Sequence, residues 1–266
     1  MTSVAGNTPV HRHGRVATRG PYDGVMNIVR FNWPFFVAAE LAIVAGVVAA
    51  TALSPSPLAL GIALLSVMAM FAIAASLLVS HVIYDRSDLY RMLWLPRAVR
   101  GLNARDAVYC QTGFDDASLL LQQAMGDVAW TRLDHHDPVR TPEASIRRAR
   151  RVCPPVEGTK RAPFDAWPMA SASTDVVFGM LAIHELRRVS ERAAWFAEAR
   201  RVLRPGGRVV IVEHVRDLAN LLAFGPGVLH FHSPAQWEAS WQHSGLRLHE
   251  SFRVTPWVRV FVLAAS

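Results

Sequence analysis

The chain has 266 residues, which is enough for one large domain or for one domain with an appendage. It is 52% hydrophobic and 18% charged, less than the roughly 25% charge of a soluble domain, so part of it is unusually apolar. The net charge of +7 is scattered over arginines, with Lys160 the only lysine, so no nucleic-acid groove is indicated. Cys110 and Cys153 form no C-x-x-C pair, which excludes a zinc knuckle and fits a reducing compartment.

Two apolar segments occupy the first third of the chain. Residues 35–53 are apolar apart from Glu40, and residues 58–80 carry no charge. Each segment is long enough to cross a hydrocarbon core of about 30 Å, which takes about 20 residues. The sequence Ser-Pro-Ser-Pro at 54–57 ends a helix and supplies a turn. We therefore expect a transmembrane helical hairpin over residues 31–84.

The charges around this hairpin predict its orientation. Arginines flank both segments and are missing from the turn: Arg12, Arg15, Arg19 and Arg30 precede the first segment, and Arg86, Arg91, Arg97 and Arg100 follow the second. The positive-inside rule then predicts a two-pass protein of the inner (cytoplasmic) membrane with both termini in the cytoplasm, and residues 1–30 form a basic cytoplasmic tail. A cleaved signal peptide is the disfavoured alternative, because a second full-length apolar run follows the first.

Residues 85–104 mix leucines and aromatic residues with arginines. This amphipathic connector is compatible with a helix that lies on an anionic membrane surface. It is equally compatible with the first helix of the following domain, packed on its sheet. The sequence leaves both alternatives open.

From residue 105 to residue 266 the pattern alternates between strands and helices. Strands are predicted at 106–110, 128–134, 175–181, 208–213, 246–254 and 257–263, and helices at 115–125, 143–151, 190–203 and 237–244. Ser190 is a possible N-cap, and Pro-Gly-Gly at 205–207 predicts a sharp turn. This alternation is typical of an α/β fold with a doubly wound, mostly parallel sheet, closed by a final antiparallel pair.

Two sequence motifs carry a family resemblance. D-V-V-F stands at 175–178 and R-R-V-L-R-P-G-G-R-V-V-I-V-E at 200–213, on either side of a predicted helix. They resemble the second half of a class I S-adenosylmethionine-dependent methyltransferase, in which D-x-V opens the fourth strand and R-V-L-(R/K)-P-G-G-x-(L/V) leads into the fifth. Pro168-Met169 and the Ser/Ala stretch after them resemble the family's L-P-F-x-x-x-S-F-D more loosely. The motifs are most similar in form to those of small-molecule methylases of the quinone-biosynthesis type. The resemblance implies a Rossmann-like fold with S-adenosylmethionine as cofactor.

The glycine-rich loop of that family is altered in this chain. In the family, D-x-G-x-G-x-G after the first strand lets the backbone approach the cofactor closely. Aligned on Gly113, the acidic position falls on Ala107, the first glycine on Tyr109 and the second on Gln111. We therefore expect a phenol and an amide to project where the family has bare backbone.

The resemblance implies a set of cofactor-binding residues: Gln111, Thr112, Gly113, Asp115 and Asp134. The first four would bind polar groups of the cofactor, and Asp134, at the end of the second strand, would accept hydrogen bonds from the ribose hydroxyls. In the alternative, Asp134 is an ordinary strand-end acid and the pocket is closed. The chain would then be a non-catalytic, methyltransferase-like binding or scaffold protein bound to a membrane.

Polar residues also follow the fourth and fifth predicted strands, and ligand crevices of parallel sheets lie outside these ends. The candidate general bases are His184, His214 and His230, and the candidate substrate-binding residues are Glu185, Arg216 and Asn220. Arg216 is equally compatible with a structural ion pair to Asp217.

Several of these candidate residues are possible metal ligands, together with Glu213 and His232. No H-E-x-x-H spacing links them, and chance clusters are common among 11 histidines, so no metal is expected.

The sequence as a whole predicts a membrane-anchored methyltransferase that acts on a hydrophobic small molecule or a lipid-like acceptor. The anchor supports this substrate class, because it holds the enzyme where such acceptors partition. The expected partners are that substrate and the membrane, with no nucleic acid. The acceptor atom and the oligomeric state stay open.

Overall fold

We describe a computed structural model of the chain over residues 19–265, so Arg12 and Arg15 of the predicted tail lie outside the described residues. The strands are β1 (Asp106–Gln111), β2 (Ala129–Asp134), β3 (Lys160–Arg161), β4 (Thr174–Met180), β5 (Leu203–His214), β6 (Leu246–Thr255) and β7 (Val258–Ala265). The α-helices are α1 (Asp23–Ala52), α2 (Pro57–His81), α3 (Leu95–Ala98), α4 (Ser118–Met125), α5 (Ala144–Val152), α6 (Val189–Val202), α7 (Leu218–Phe224) and α8 (Pro234–Trp241). A π-helical turn extends α2 over Val82–Arg86, and 3₁₀ turns span Ile183–Glu185 and Gly225–His230.

The strands form one sheet in the order β3-β2-β1-β4-β5-β7-β6. β1 pairs in parallel with β2 and β4, β4 pairs in parallel with β5, and β7 is antiparallel to both of its neighbours. The order 3-2-1-4-5 is that of a doubly wound sheet, so the predicted fold class is confirmed, with the final antiparallel pair.

Two local predictions need correction. The expected turn at 205–207 is a bulge inside β5, where the pairing register with β4 shifts between Thr174 and Val176. Gly206 has φ +80 there, and a Cβ on Gly207 would lie 2.8 Å from the carbonyl oxygen of Asp175, so glycine is needed at both positions. Ser190 is not an N-cap, because α6 begins one residue earlier with Arg188 at the cap.

Apolar side chains cover both faces of the sheet. On one face α6 and α8 contribute Trp195, Phe196 and Trp237 to a buried cluster. On the other face, α4 and the segment that follows α2 form a second cluster, in which Leu89 and Trp94 are buried. Of the two alternatives for residues 85–104, the structure therefore has the segment packed on the sheet, with only a short helix, α3.

The two N-terminal helices form an antiparallel hairpin whose apolar side chains are mostly exposed. Only 6% of the most apolar stretch of each helix is buried, and both helices are long and apolar enough to cross a membrane. A Cβ on Gly46 would lie 2.4 Å from Ser66 Oγ, so glycine permits the close crossing. The hairpin fits the predicted anchor, although α1 begins at Asp23, inside the predicted tail.

The start of α1 is bound to the rest of the chain. Asp85 accepts hydrogen bonds from the backbone amides of Gly24 (2.6 Å) and Val25 (3.0 Å). The backbone angles of Asn32, two residues before Pro34, are not helical, so α1 is kinked there. The part of α1 before this kink lies against the domain. There, the ring of Phe31 packs edge-on against the ring of Phe114, with the two ring centroids 5.1 Å apart. Because Phe114 follows β1, this contact places α1 at the edge of the sheet where the strands end.

Candidate functional site

The candidate site lies at the carboxyl ends of β1, β2 and β4, where the structure has a cavity of about 530 Å³. Its walls include Thr112 after β1, His135 after β2 and Glu185 after β4. This volume is within the roughly 300–1,000 Å³ of small-molecule sites. A second cavity, of about 260 Å³, lies at the opposite ends of the strands beside Asp106 and Thr174, away from every candidate residue.

The loop after β1 differs from the sequence expectation. Tyr109 lies within β1 and is buried in the core, so its phenol does not project into the loop. Gln111 is 1% exposed, and neither atom of its amide has a hydrogen-bond partner among residues 19–265. The Thr112 hydroxyl donates to the carbonyl of Ala182 and so joins the loop to the end of β4. A Cβ on Gly113 would meet no atom within 4 Å, so the space beside this glycine is open.

Asp134 ends β2 and is paired with an arginine from α5. Arg150 donates to both carboxylate oxygens, at 3.2 and 2.7 Å, and to the carbonyl of Gly113 at 2.6 Å. One guanidinium thus bridges the ends of β1 and β2. Asp115 is engaged as well, because it accepts hydrogen bonds from the amide (2.9 Å) and the hydroxyl (2.5 Å) of Ser118 at the start of α4.

The residues that follow β1 and β2 fit a nucleoside-containing cofactor in their cavity and free polar atoms, but not in the pairing of Asp134. The cavity is of suitable size, and His135, which lines it, has an Nε2 atom without a partner among the described residues. The unpartnered amide of Gln111 adds a donor and an acceptor at the same edge of the sheet. Arg150 and the backbone amide of His136 occupy most of the acceptor sites of Asp134, so the carboxylate can accept from both ribose hydroxyls only if Arg150 gives up part of its bidentate contact.

The end of β5 holds the turn after β4 through one buried carboxylate. Glu213 is fully buried, and its Oε1 accepts hydrogen bonds from the backbone amides of Ala182 (3.0 Å), Ile183 (2.9 Å) and His184 (3.2 Å). Its Oε2 accepts from Nδ1 of His184 at 2.7 Å. Burial lowers the pKa of His184, but the charges and hydrogen bonds of Glu213 and Glu185 outweigh it and raise this pKa to about 10. His184 is therefore cationic at neutral pH, which removes it as a general base in this state.

Glu185 and His230 complete a group with His184. Oε1 of Glu185 lies 3.3 Å from Nε2 of His184 and 3.3 Å from Nε2 of His230. Its Oε2 lies 3.4 Å from the guanidinium of Arg187, which also donates to the carbonyl of His230 at 2.7 Å. Burial raises the pKa of Glu185, but hydrogen bonds to His184 and His230 and their charges bring it well below its usual range.

His214 is buried behind this group with both ring nitrogens engaged. Nδ1 donates to Oδ1 of Asn220 (3.1 Å) and to the carbonyl of Trp257 (3.0 Å), so Nε2 accepts from the hydroxyl of Tyr84 at 2.8 Å. Burial lowers the pKa of His214 to about 4. No nitrogen is left to abstract a proton, and Asn220, also fully buried, serves the same network.

Arg216 has a structural contact other than the one expected. It donates to the carbonyls of Phe231 (2.9 Å) and Leu229 (3.0 Å) and so holds the 3₁₀ turn after α7. Asp217 pairs with Arg253 instead, at 2.8 Å. The structure thus brings His184, Glu185 and His230 together, and it places Arg216 and Asn220 in the scaffold around them.

Three residues of this region were missed in the sequence: Arg150, His135 and Tyr84. The basic helix that contains Arg150 was predicted, but four arginines in it are equivalent by sequence. His135 directly follows Asp134, so its position after a strand was an available signal. Tyr84 ends the second apolar segment, and nothing near it in sequence indicates His214, 130 residues further on.

Comparisons with known proteins agree with this architecture. Residues 118–211 match the family described as "Methyltransferase domain". A segment of 49 residues is 49% identical to malonyl-[acyl-carrier protein] O-methyltransferase of Hahella chejuensis. This match covers 18% of the chain and spans only 16% of that relative's length, so it carries over no substrate.

Two solved structures resemble the chain at low sequence identity. Mitomycin 7-O-methyltransferase aligns with a TM-score of 0.53 and 15% identity, and the alignment covers 94% of this chain and 74% of the mitomycin enzyme. An S-adenosylmethionine-dependent methyltransferase from Aquifex aeolicus aligns with a TM-score of 0.49 and 15% identity, covering 72% of this chain and 97% of its own. The match over residues 118–211 and the order of the strands support a class I methyltransferase domain in this part of the chain, with S-adenosylmethionine as its cofactor.

Proposed function

We propose that the protein transfers a methyl group from S-adenosylmethionine to a hydrophobic small molecule or lipid-like acceptor at the inner membrane. The observation that carries the proposal is the cavity at the carboxyl ends of β1, β2 and β4 of a methyltransferase fold. In doubly wound sheets this edge is where ligands bind.

The cofactor supplies an activated methyl group on a sulfonium, and the protein mainly aligns the two reactants. We assign Thr112, which lines the cavity, together with Gly113 and Asp134, to the polar groups of the cofactor, and Gln111 offers its unpartnered amide. Glu185 lines the same cavity, and His184 and His230 lie beside it. We assign these three side chains to the acceptor end of the site. His214 and Asn220 position the wall behind them.

The membrane part of the proposal rests on exposed apolar surface. Besides the hairpin, the α7 segment carries four exposed leucines: Leu218, Leu221, Leu222 and Leu229, with 46–77% of each residue exposed. Helix α7 lies against α2, so these leucines continue the apolar surface of the hairpin. Contiguous apolar surface of this kind is typical of a membrane contact. An acceptor dissolved in the membrane would thus reach the site along α7, because the turn after α7 carries His230.

The test uses the full chain in lipid nanodiscs. Calorimetric titration measures binding of S-adenosylmethionine, and a methyl-labelled cofactor then reports transfer to an added lipid extract. We expect micromolar cofactor binding that Asp134→Ala weakens at least tenfold, with label in the organic phase. Label found only in water-soluble acceptors would contradict the acceptor class, and folded protein without cofactor binding would contradict the activity.

One observation favours the alternative of a non-catalytic binding or scaffold protein. Arg150 occupies Asp134 and the carbonyl of Gly113 with three hydrogen bonds. If this contact closes the site permanently, neither the natural chain nor Asp134→Ala binds the cofactor, while the variant Arg150→Ala gains binding. The same titration therefore separates the two functions.

A further inference from the structure

We propose that His184, Glu185 and His230 bind one divalent transition-metal ion, with Zn²⁺ as the reference case, at the edge of the cavity. His184 and Glu185 belong to the turn after β4, and His230 ends the turn after α7. One ligand atom from each of the three side chains lies within 4.8 Å of the other two. Imidazole and carboxylate are the ligands that Zn²⁺ and similar ions take from proteins.

The spacing of these atoms suits a common ion. Ligand atoms about 2.1 Å from a tetrahedral Zn²⁺ lie about 3.4 Å from each other. Nε2 of His184 and Nε2 of His230 each lie 3.3 Å from Oε1 of Glu185, which gives two edges of such a tetrahedron. As direct hydrogen bonds the same two contacts are long, since N–H···O bonds are usually 2.7–3.2 Å. Only the distance between the ligand nitrogens of His184 and His230, which is at most 4.8 Å, has to shorten. His230 lies on a half-exposed turn, where such a shift is possible.

The surroundings have the outer hydrogen bonds of a metal site. Metal-binding histidines usually donate their other ring N–H to a carboxylate, which fixes the ring and its tautomer. Nδ1 of His184 donates to Glu213 at 2.7 Å, so the proposed ion would bind Nε2 in place of the proton that the cationic ring carries there. Nη2 of Arg187 lies 3.4 Å from Oε2 of Glu185, which leaves Oε1 for the ion. The same Nη2 lies 2.5 Å from Nε2 of His230, so this guanidinium has to turn away from the ring when the ion binds.

The three protein ligands leave a fourth coordination position. Three ligands with an open position are typical of catalytic rather than structural zinc sites. Glu185 lines the cavity, so a water molecule or an oxygen atom of the acceptor can fill that position. The inference goes beyond the proposed methyl transfer, because binding of the ion needs neither cofactor nor acceptor.

The test is metal binding by the full chain in detergent, without a histidine tag. His11 and His13, outside the described residues, are replaced by alanine in every protein so that they contribute no ligand. After treatment with a chelator, Co²⁺ is titrated and followed by the visible absorption of its tetrahedral complexes, and Zn²⁺ is then added to compete. We expect one Co²⁺ per chain, displaced by Zn²⁺, and a loss of affinity of at least about tenfold in His230→Ala and in Glu185→Gln.

The matched control is His243→Ala, which removes another exposed histidine and should leave the affinity unchanged. Circular dichroism establishes that each variant is folded. Co²⁺ binding that is equally weak in the parent protein and in His230→Ala would overturn the proposal and leave an ion-paired cluster. An equal loss in His243→Ala would overturn it too, because the ion would then bind histidines without regard to this site. Either result leaves the methyl-transfer test untouched.

Discussion

The loops after β1 and β2 and the loops after β4 and β5 lie at one edge of the sheet, but their carboxylates are held differently. At the proposed cofactor end, Asp134 is held by the side chain of Arg150, 21% of which is exposed. At the proposed acceptor end, Glu213 is fully buried and is held by three backbone amides and His184. A partly exposed side-chain pair can exchange partners with a ligand, whereas a carboxylate bound to buried amides cannot leave without local unfolding. The cofactor end is thus adaptable and the acceptor end is rigid.

The largest expected effect tests the rigidity of the acceptor end. Glu213→Ala leaves three buried amides and a cationic His184 without their partner, so we expect the free energy of unfolding to fall by about 3–5 kcal/mol. Chemical unfolding of the full chain in detergent, followed by tryptophan fluorescence, measures it. The control Glu238→Ala, at an exposed position of α8, should change stability by less than about 0.5 kcal/mol. Equal effects of the two changes would refute the comparison.

The second prediction concerns His135 at the cofactor end. Burial lowers its pKa to about 4, whereas an unfolded chain has a histidine pKa of about 6.5. The unfolded state therefore binds the proton more readily, and this histidine makes the protein less stable as the pH falls from 7 to 5, by about 2 kcal/mol. Phenylalanine at position 135 keeps the stacking on Trp167 and does not titrate.

Unfolding of the wild type and of His135→Phe is compared at pH 7 and pH 5. The variant should lose about 2 kcal/mol less than the wild type over this interval. The control His249→Phe, at an exposed position of β6, should follow the wild type. An identical pH dependence in wild type and His135→Phe would mean that His135 is not held neutral in the folded protein.

The third prediction tests the adaptability of the cofactor end. Arg150→Ala releases Asp134 and the carbonyl of Gly113, so binding of S-adenosylmethionine should tighten about tenfold, or about 1.4 kcal/mol. Calorimetric titration measures this, with Arg151→Ala, an exposed arginine on the same helix, as control. Weaker binding in Arg150→Ala would instead make the guanidinium a ligand of the cofactor.

The smallest effect concerns the hydrogen bond between Tyr84, in the turn that extends α2, and His214 at the proposed acceptor end. Tyr84→Phe removes one hydrogen bond to His214, so we expect a loss of about 1 kcal/mol in the free energy of unfolding. The matched control is Tyr22→Phe, at a residue that is 61% exposed, and it should be neutral. A loss in the control as large as that in Tyr84→Phe would remove His214 as the reason.

The sequence predicted the sheet because its central strands are continuous apolar runs, and it predicted the hairpin because 35–53 and 58–80 are long and almost free of charge. It also placed Thr112, Asp134 and Glu185 near one edge, since residues after parallel strands share that edge. The expectation that the phenol of Tyr109 projects at the loop was wrong, because Tyr109 lies inside β1 and its ring is buried in the core. The pairing of Arg150 with Asp134, and of His230 with Glu185, depends on tertiary contacts between helices and turns that no local pattern encodes.

The hydrogen bonds from Gly24 and Val25 to Asp85 have a consequence for biosynthesis. The amides of Gly24 and Val25 receive their acceptor from a residue 61 and 60 positions later in the chain. While the ribosome is still making α2, the start of α1 has no carboxylate to bind, so the N-terminal turn can form its final contacts only once Asp85 has emerged. A Cβ at position 24 would lie 2.4 Å from Cβ of Tyr84, so glycine there is also what lets this late closure occur.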